Sequence, residues 1–272
     1  MHLLKGHFPV RITLYSILVA LYLLLPSDAK AARATYSLAT YRQWSKQPTD
    51  TLMTRGRAYL AHQTSMDSAF VCYTVVVERF KDGHGDHHER YQYAKALNNL
   101  GFMFATHYLD FEKAYNYLME SKRISQAEKF SDNLPYVYMN LAAMYDNRRS
   151  LFGISDPKHD ALRSMRLAYT TAVHEQQWMV AYTCFTNLLS MVADTHSLES
   201  IRGEMHTFKS IYAKHPLPMG EYALYMMEWQ EAYNRSDGQT ALSCCRKLQK
   251  LVQKVPDIGL ECELIAQVTI QR

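Results

Sequence analysis

Residues 97–104 read LNNLGFMF, and this stretch decides the fold of the chain. Its apolar residues recur at steps of three and four, the spacing that places them on one face of an α-helix. The same pattern returns at residues 138–145 (YMNLAAMY) and 185–192 (FTNLLSMV). Each copy has a large residue, an Asn two positions later, then an apolar residue, and a large residue at the end. Because one amphipathic helix recurs in three places, the sequence predicts a helical repeat.

A second helix pattern accompanies the first. Asp110 leads into Ala114, and an earlier copy runs from Asp67 to Ala69. Asp is favoured before a helix because its carboxylate accepts hydrogen bonds from the amides of the first turn. Ala has little side chain, so we expect it to lie where the two helices of a pair touch. The sequence therefore predicts helix, short turn, helix as the repeating unit.

The helix pattern covers most of the chain, and Gly (10) and Pro (8) are few, which favours long helices joined by short turns. We predict an all-α protein with a lead-in segment at 32–48, a repeat domain at 49–256 and an unpaired terminal helix at 257–272. Pro135 and Pro157 indicate helix starts. Five helix pairs are predicted at 50–63 with 67–81, 89–106 with 110–130, 134–146 with 157–175, 178–194 with 197–215, and 219–234 with 237–254.

The N-terminus has the elements of a secretory signal peptide. A basic start from Lys5 to Arg11 precedes residues 12–25, which carry no charge, and residues 29–31 (AKA) satisfy the small-x-small rule for cleavage. The apolar run would rise about 21 Å as a helix, short of the roughly 30 Å hydrocarbon core of a bilayer. We therefore favour a cleaved signal peptide at 1–31 over an uncleaved anchor. The mature chain is expected to be exported, into the periplasm of a Gram-negative bacterium.

Charge and cysteine content narrow the class of protein further. The formal net charge is only +4 and no block of like charges occurs, so nucleic acid is not an expected partner. No second stretch is apolar for long enough to predict a membrane span beyond the signal peptide. The cysteines follow no disulfide-framework or zinc spacing, so we interpret them as small buried residues, with a single bridge as the alternative. They are Cys72, Cys184, Cys244, Cys245 and Cys262.

Residues 84–89 (HGDHHE) are the one cluster of metal-ligand types. Their spacing does not match a pair of His one helical turn apart, and they fall in a turn between two predicted helices. We interpret them as a solvated turn and predict no metal and no cofactor. The chain also lacks Gly-x-Ser-x-Gly, a phosphate-binding Gly-rich loop, His-Glu-x-x-His and Cys-x-x-Cys. An enzyme or a metal-binding protein is therefore the least favoured hypothesis.

Together these patterns resemble the tetratricopeptide repeat (TPR), which has a large residue, Leu-Gly and an aromatic in its first helix and Ala in its second. The best copy is Leu97, Leu100, Gly101, Phe104, Ala114 and Leu118. The resemblance extends over roughly residues 50–255. It implies a TPR-like solenoid of about five antiparallel helix pairs, wound into a right-handed superhelix, that binds a protein or peptide partner in its groove.

The resemblance also assigns the groove residues, because the recurring Asn of peptide-binding TPR proteins faces the groove. Such Asn side chains bond the backbone of an extended peptide; the alternative is that they bond only the adjacent turn. TPR proteins that clamp a chaperone's carboxylate use several Lys or Arg, and only Lys95 matches, so that specificity is not predicted. The expected groove residues are Lys95, Asn98, Asn99, Phe102, Tyr136, Met139, Asn140, Ala143, Thr183, Asn187 and Ser190.

A second resemblance concerns the whole chain. A signal peptide, residues 41–45 (YRQWS) and long helix pairs are similar to the periplasmic region of a class of bacterial membrane regulators. Those proteins continue into a transmembrane helix and a cytoplasmic DNA-binding or histidine-kinase domain. The first hypothesis is thus an exported TPR scaffold that binds proteins or peptides, and the alternative is the sensor region of a transmembrane signalling regulator.

Overall fold

The computed structural model describes residues 38–61, 66–147, 157–193 and 198–254. The predicted signal peptide and terminal helix lie outside these residues. Within them the chain is helical, with one short 3₁₀ turn at Leu198–Ile201. The α-helices are α1 (Leu38–Trp44), α2 (Thr49–Ala61), α3 (Met66–Phe80), α4 (His87–Thr106), α5 (Phe111–Ala127), α6 (Leu134–Asn147), α7 (Pro157–His174), α8 (Trp178–Ala193), α9 (Arg202–Lys214), α10 (Pro218–Asn234) and α11 (Gly238–Lys254).

Contacts divide the chain into two units, with the boundary between Lys46 and Gln47. In the first unit, the described part is α1 and the residues after it, where the Ser45 hydroxyl donates to the carbonyl oxygen of Arg42 at 2.9 Å. The second unit holds α2 to α11. No helix of the described residues is long and apolar enough to cross a membrane.

The ten helices of the second unit pack as successive antiparallel pairs. The most extensive contacts within pairs are those of α2 with α3, α4 with α5, α6 with α7, and α10 with α11. Each second helix of the early pairs also contacts the first helix of the next pair, as α3 does with α4 and α5 with α6. The structure thus confirms the all-helical prediction and the succession of helix pairs.

The two helices of the second pair meet where the sequence predicted a small residue. A Cβ atom added to Gly101 would lie 2.6 Å from Cγ of Leu118 and 3.3 Å from the carbonyl oxygen of Ala114. The first pair has the same contact, since a Cβ on Gly56 would lie 2.7 Å from the Tyr73 ring. The interval from Gly56 to Gly101 equals that from Tyr73 to Leu118. These two pairs therefore repeat one packing arrangement.

The helical patterns of the sequence predict core positions at Leu100, Gly101, Phe104, Ala114, Leu141, Tyr145, Ala161 and Leu188, and most of these predictions are correct. Leu100, Ala114 and Leu188 are fully buried, and Phe104, Leu141 and Ala161 are buried as well. Tyr145 is less buried than predicted: it is half-buried and packs against the core, whereas its neighbour Met144 is fully buried. The described cysteines confirm the interpretation as small buried residues, since all four are buried and form no disulfide with one another; these are Cys72, Cys184, Cys244 and Cys245.

A buried polar network joins α4, α5 and the start of α6. The sequence patterns did not predict it. The Asn133 side-chain amide donates to the hydroxyls of Ser125 at 3.0 Å and Ser121 at 3.3 Å. The Ser121 hydroxyl in turn donates to the carbonyl oxygen of Ala94 at 2.7 Å. Ser121, Ser125 and Asn133 are buried, so their hydrogen bonds offset the cost of removing these polar groups from water.

The fourth predicted pair differs from the others. Helix α8 packs mainly against α7 and α10, whereas the backbone of α9 approaches α8 at few points. Large rings fill the seam between them: Phe185 stacks on Phe208 with centroids 4.3 Å apart, and the Tyr182 ring meets Phe208 edge-on at 5.7 Å. The prediction of one helix over 197–215 is therefore corrected to a 3₁₀ turn followed by α9. Aromatic side chains take the place of the small residues that let the helices of the first two pairs approach each other.

Helix starts agree with the sequence in part. Pro135 and Pro157 lie in the first turns of α6 and α7, as predicted. The spacing of Ser236 and Gln239 predicts a capping box, and this prediction is wrong, because Asp237 accepts the backbone N–H of Thr240 at 3.0 Å. Ser236 instead ends the preceding helix: its backbone N–H donates to the carbonyl oxygen of Tyr233, in a left-handed conformation with φ 58°.

We predict that Gly101→Leu lowers the free energy of unfolding by about 1–3 kcal/mol or more, because the added atoms overlap buried Leu118. Gly203→Leu is the matched control: it is a helical glycine with no neighbour within 4 Å of an added Cβ. This control gains up to about 1 kcal/mol from helix propensity. Urea denaturation followed by circular dichroism measures both, and equal effects of the two changes would contradict the packing described here.

Candidate functional site

The first helices of the pairs lie side by side, and we call the surface that they form the first-helix row: helices α2, α4, α6, α8 and α10. Contacts link α2 to α4, α4 to α6, α6 to α8, and α8 to α10. Every groove residue expected from the sequence lies on α4, α6 or α8. The row therefore brings residues that are distant in the sequence onto neighbouring helices.

Two of the expected groove asparagines bind each other across the row. The Asn140 side chain on α6 donates to the Oδ1 atom of Asn98 on α4 at 3.0 Å. Asn98 is only 5% exposed, so its side-chain amide lies in the protein interior and is not accessible to a ligand. Asn140 is half-buried and keeps part of its surface accessible. This hydrogen bond fixes α4 beside α6 and so positions the neighbouring side chains of both helices.

Lys95 belongs to a polar cluster on α4 and α6. Its ammonium group lies over the ring of Tyr91, 4.8 Å from the centroid. The Tyr91 hydroxyl donates a hydrogen bond to the carboxylate of Asp132, just ahead of α6. Tyr91 lies one helical turn before Lys95, and Asp132 one turn before Tyr136. The cluster thus continues the row by one turn beyond the residues that the sequence indicated.

Arg57 on α2 adds a second positive charge to this cluster. Burial and the charge of Arg57 lower the pKa of Lys95, while the Asp132 carboxylate opposes the shift. The Arg57 charge also acts on Tyr91 and Tyr136. Within the described residues, neither Arg57 nor Lys95 has a carboxylate at ion-pair distance. The cluster therefore has a positive charge excess that an anionic group could neutralise.

The apolar part of the row lies on α6 and α8. Tyr136 is 42% exposed and Met179 is 49% exposed, although both are large. Met139 is half-buried, and its helix, α6, lies between α4 and α8 in the row. Thr183 bonds its own helix, since its hydroxyl donates to the carbonyl oxygen of Met179 at 3.0 Å. Large accessible side chains of this type are the usual anchors of protein and peptide interfaces.

The remaining expected groove residues have mixed environments. Phe102, Asn99, Ala143 and Asn187 are half-buried, and Ser190 is exposed. Asn99 lies beside Tyr73, whose pKa is raised chiefly by burial and is lowered in part by this Asn. The Tyr73 hydroxyl is buried and has no hydrogen-bond partner of normal geometry in the described part of the chain. Asn99 of α4 is thus the residue of the first-helix row whose polar side chain interacts with Tyr73 of α3.

The His-rich segment at residues 84–89 forms the start of a helix. Asp86 accepts the backbone N–H of Glu89 at 2.8 Å, and Glu89 accepts that of Asp86 at 3.0 Å, which is a capping box. His88 approaches Asp50 of α2 at 2.8 Å. Over the described ranges, no group of three or more His, Cys, Asp or Glu could hold a metal ion. Asp86 and Glu89 of this segment therefore cap the N-terminus of α4.

A cleft of about 370 Å³ lies beside α9, away from the groove residues expected from the sequence. Its charged lining is largely paired: Glu199 bonds Arg202, and Lys209 faces Glu231 at 3.9 Å. It is open to solvent, and its apolar floor consists of Leu198 and Met205. Because its charges are satisfied internally, we regard the first-helix row as the better candidate for ligand binding.

Sequence reasoning missed Arg57, Tyr91 and Asp132. Tyr91 and Asp132 could have been found by extending each copy of the repeat one turn towards its N-terminus. Arg57 could not, because it occupies a different position in its own helix from that of Lys95. Only the packing of α2 beside α4 brings this guanidinium towards Lys95.

We predict that Asn140→Ala lowers the free energy of unfolding by about 1–2 kcal/mol, because it leaves buried Asn98 without this hydrogen-bond donor. Asn187→Ala is the matched control at the corresponding position of α8. Its side chain is also half-buried but makes no hydrogen bond to described residues, so the change should stay within about 0.5 kcal/mol. Thermal denaturation distinguishes the two, and equal losses would show that the recurring Asn has one common structural role.

Comparison with known proteins adds no identification. The sequence matches no protein-family model, and neither curated proteins nor solved structures give a match. The resemblance to TPR proteins thus stays a prediction, whereas the succession of antiparallel helix pairs is a property of the structure. The function has to be inferred from the geometry and charge of the first-helix row.

Proposed function

We propose that this chain is an exported TPR-like protein that binds an extended segment of a partner protein or peptide along its first-helix row. The proposal includes a periplasmic location and a solenoid of helix pairs with a right-handed superhelix. One observation carries it: polar, charged and aromatic side chains from three successive first helices converge on one surface, and its positive charges lack carboxylate partners among the described residues.

The polar groups of the row suit the backbone of an extended peptide. Such a backbone presents N–H and C=O groups along its whole length, and binding must satisfy those that it shields from water. Asn99 and Asn140 each have an amide that both donates and accepts, and both remain partly accessible. Hydrogen bonds between Asn98 and Asn140 and between Tyr91 and Asp132 hold the surface in place beforehand. This preorganisation lowers the entropy cost of binding.

The aromatic and apolar groups supply contact area. Tyr136 and Met179 are the large accessible side chains of the row among the described residues, and each belongs to a helix that packs against its neighbours. Covering apolar surface yields about 25 cal/mol per Å² before the costs of association are subtracted. Tyr is favoured at binding sites because its ring gives area while its hydroxyl stays hydrogen-bonded. These residues are the proposed anchors for the partner.

We predict that Tyr136→Ala weakens capture of the partner by about fivefold or more, the effect of losing an interface anchor worth 1 kcal/mol or more. Tyr115→Ala is the matched control, because Tyr115 is 37% exposed against 42% for Tyr136 but lies on α5, a second helix. The partner is obtained by crosslinking in the native cell and its affinity measured by surface plasmon resonance. Equal affinities of the two variants would place the interface elsewhere.

The mass and cell fraction of the native polypeptide test the rest of the proposal. An antibody against residues 32–272 should detect a periplasmic species near the size of the chain without residues 1–31. A larger, membrane-bound species would instead favour the sensor region of a transmembrane regulator, and a cytoplasmic species would contradict export. The proposed binding surface is the same in the first two outcomes. The measurement therefore decides between a free periplasmic binding protein and the sensor region of a membrane regulator.

A further inference from the structure

The last described helix, α11, carries positive charge only. Four residues of Gly238–Lys254 are basic and none is acidic. Its partner α10 has the opposite composition, with three glutamates and no Lys or Arg. Positive charge is therefore concentrated on α11, although the formal net charge of the whole chain is only +4. The basic residues of α11 are Arg246, Lys247, Lys250 and Lys254.

The helix brings three of these charges onto one exposed surface. Arg246 and Lys250 are four residues apart, and Lys247 and Lys250 are three apart, spacings that make side chains neighbours on the surface of a helix. All three are exposed, and we call them the basic face of α11. The opposite side of the helix is buried through Ala241, Cys244, Cys245, Leu248 and Leu251.

The carboxylates of α10 neutralise only part of the basic face. Glu228 lies 3.6 Å from Lys247. The other two glutamates have partners elsewhere, which are the hydroxyl of Tyr225 for Glu221 at 2.7 Å and the ammonium group of Lys209 for Glu231 at 3.9 Å. Among the described residues, no carboxylate lies at ion-pair distance from Arg246 or Lys250. Because like charges one helical turn apart repel each other, an external anion would stabilise this surface.

The chemistry of the basic face favours a partner that binds by charge alone. None of the exposed large hydrophobic side chains of the described residues lies on α11, and the exposed neighbours of the cations, Ser243 and Gln249, are polar. Protein interfaces have apolar or aromatic anchors and are depleted in Lys, so the basic face lacks the anchors that a protein partner would need. The surface of an anionic bilayer attracts exposed Lys and Arg side chains electrostatically, without apolar contact.

We propose that the basic face binds the anionic phospholipid headgroups of a membrane surface and so holds the chain at that membrane. The choice of lipid rests on the proposed function in one respect, the location outside the cytoplasm, because an exported chain meets the headgroups of the membrane that it has crossed and nucleic acid is absent there. Arg246 to Lys250 spans about 6 Å along the helix axis. A bilayer presents headgroups side by side over such an area, so each cation can meet a negative charge.

Membrane binding through α11 leaves the first-helix row accessible. Helix α11 is the second helix of its pair and packs against α10, a member of the row. The basic face lies on the exposed side of α11, opposite its buried residues. A chain held at a membrane by this face can therefore bind a partner along its row at the same time.

Cosedimentation with lipid vesicles tests the proposal, with the protein and its variants purified as the native cell produces them. Titration with phosphatidylcholine vesicles measures binding that does not depend on charge, and vesicles that also contain phosphatidylglycerol add the effect of anionic headgroups. Each exposed cation near an anionic surface strengthens binding by about fivefold. The double variant Arg246→Glu, Lys250→Glu should therefore weaken binding to the anionic vesicles by at least about tenfold. Salt should do the same, because the screening length falls from about 10 Å at 0.1 M to about 3 Å at 1 M.

A matched control makes the same change of charge on α7. Lys158 and Arg163 are exposed there, and Lys158→Glu, Arg163→Glu should alter binding to the anionic vesicles by less than about threefold, because charges outside the contact are screened. A further double variant, Arg246→Gln, Lys250→Gln, removes the charges of the basic face without adding new ones. It keeps the test decisive if the charge-reversed protein loses its helical circular dichroism, and it should weaken binding by at least about fivefold.

The outcomes separate this proposal from the proposed function. Weaker binding of the α11 variants alone supports the membrane contact. Equal affinities for the two lipid compositions, or equal effects of the α11 and α7 variants, overturn it. Displacement of the chain from the vesicles by soluble polyglutamate at an equal concentration of negative charge also overturns it, in favour of an acidic polypeptide. Arg246→Glu, Lys250→Glu should leave capture of the native partner unchanged, so a failed vesicle test leaves the first-helix row standing, whereas failure of the Tyr136→Ala prediction concerns the row alone.

Discussion

The close approach of Gly101 to Leu118 is the contact on which the architecture of the chain depends. It lets α4 and α5 pack with almost no side chain between them at that point, and Gly56 with Tyr73 repeats the arrangement in the preceding pair. Interiors are packed as densely as organic crystals, so a larger residue would displace one helix against the other. Because each first helix also contacts the next, the separation within pairs determines which side chains of α2, α4 and α6 can meet.

Polar and aromatic contacts, in addition to the small residues, hold the helices together. The Asn133 network ties α5 and the start of α6 to the backbone of α4, so the second and third pairs are joined by directional bonds as well as by apolar packing. The packing is different between α8 and α9. The stacked rings of Phe185 and Phe208 lie between the two helix backbones and still bury a large apolar area. The cleft beside α9 lies on another side of that helix, since it is lined by the 3₁₀ turn, α9 and Glu231 of α10.

Much of the helical architecture could be predicted from periodicity, because an amphipathic face and a small residue at the crossing point are local properties of the sequence. Gly101, Ala114 and Leu188 have the predicted roles. Tyr145 packs against the core but is only half-buried, because periodicity predicts which face of a helix is apolar and tertiary packing decides how deeply each residue of that face is covered. The cap of α11 was misassigned by one residue, since Ser236 and Asp237 both have capping side chains and only backbone geometry decides between them.

The binding surface was less predictable than the fold, and the reason is physical. Asn140 occupies the repeat position, but its hydrogen-bond partner is buried Asn98, which lies one residue before the repeat position of α4. A residue type that suits a peptide backbone thus also serves to align two helices. Positive charge converges on the α2–α4 end only through tertiary packing, because Arg57 and Lys95 do not occupy corresponding positions of their helices. A repeat pattern predicts which residues share a row. The charge along that row depends on side chains such as Arg57 and Lys95 that depart from the repeat.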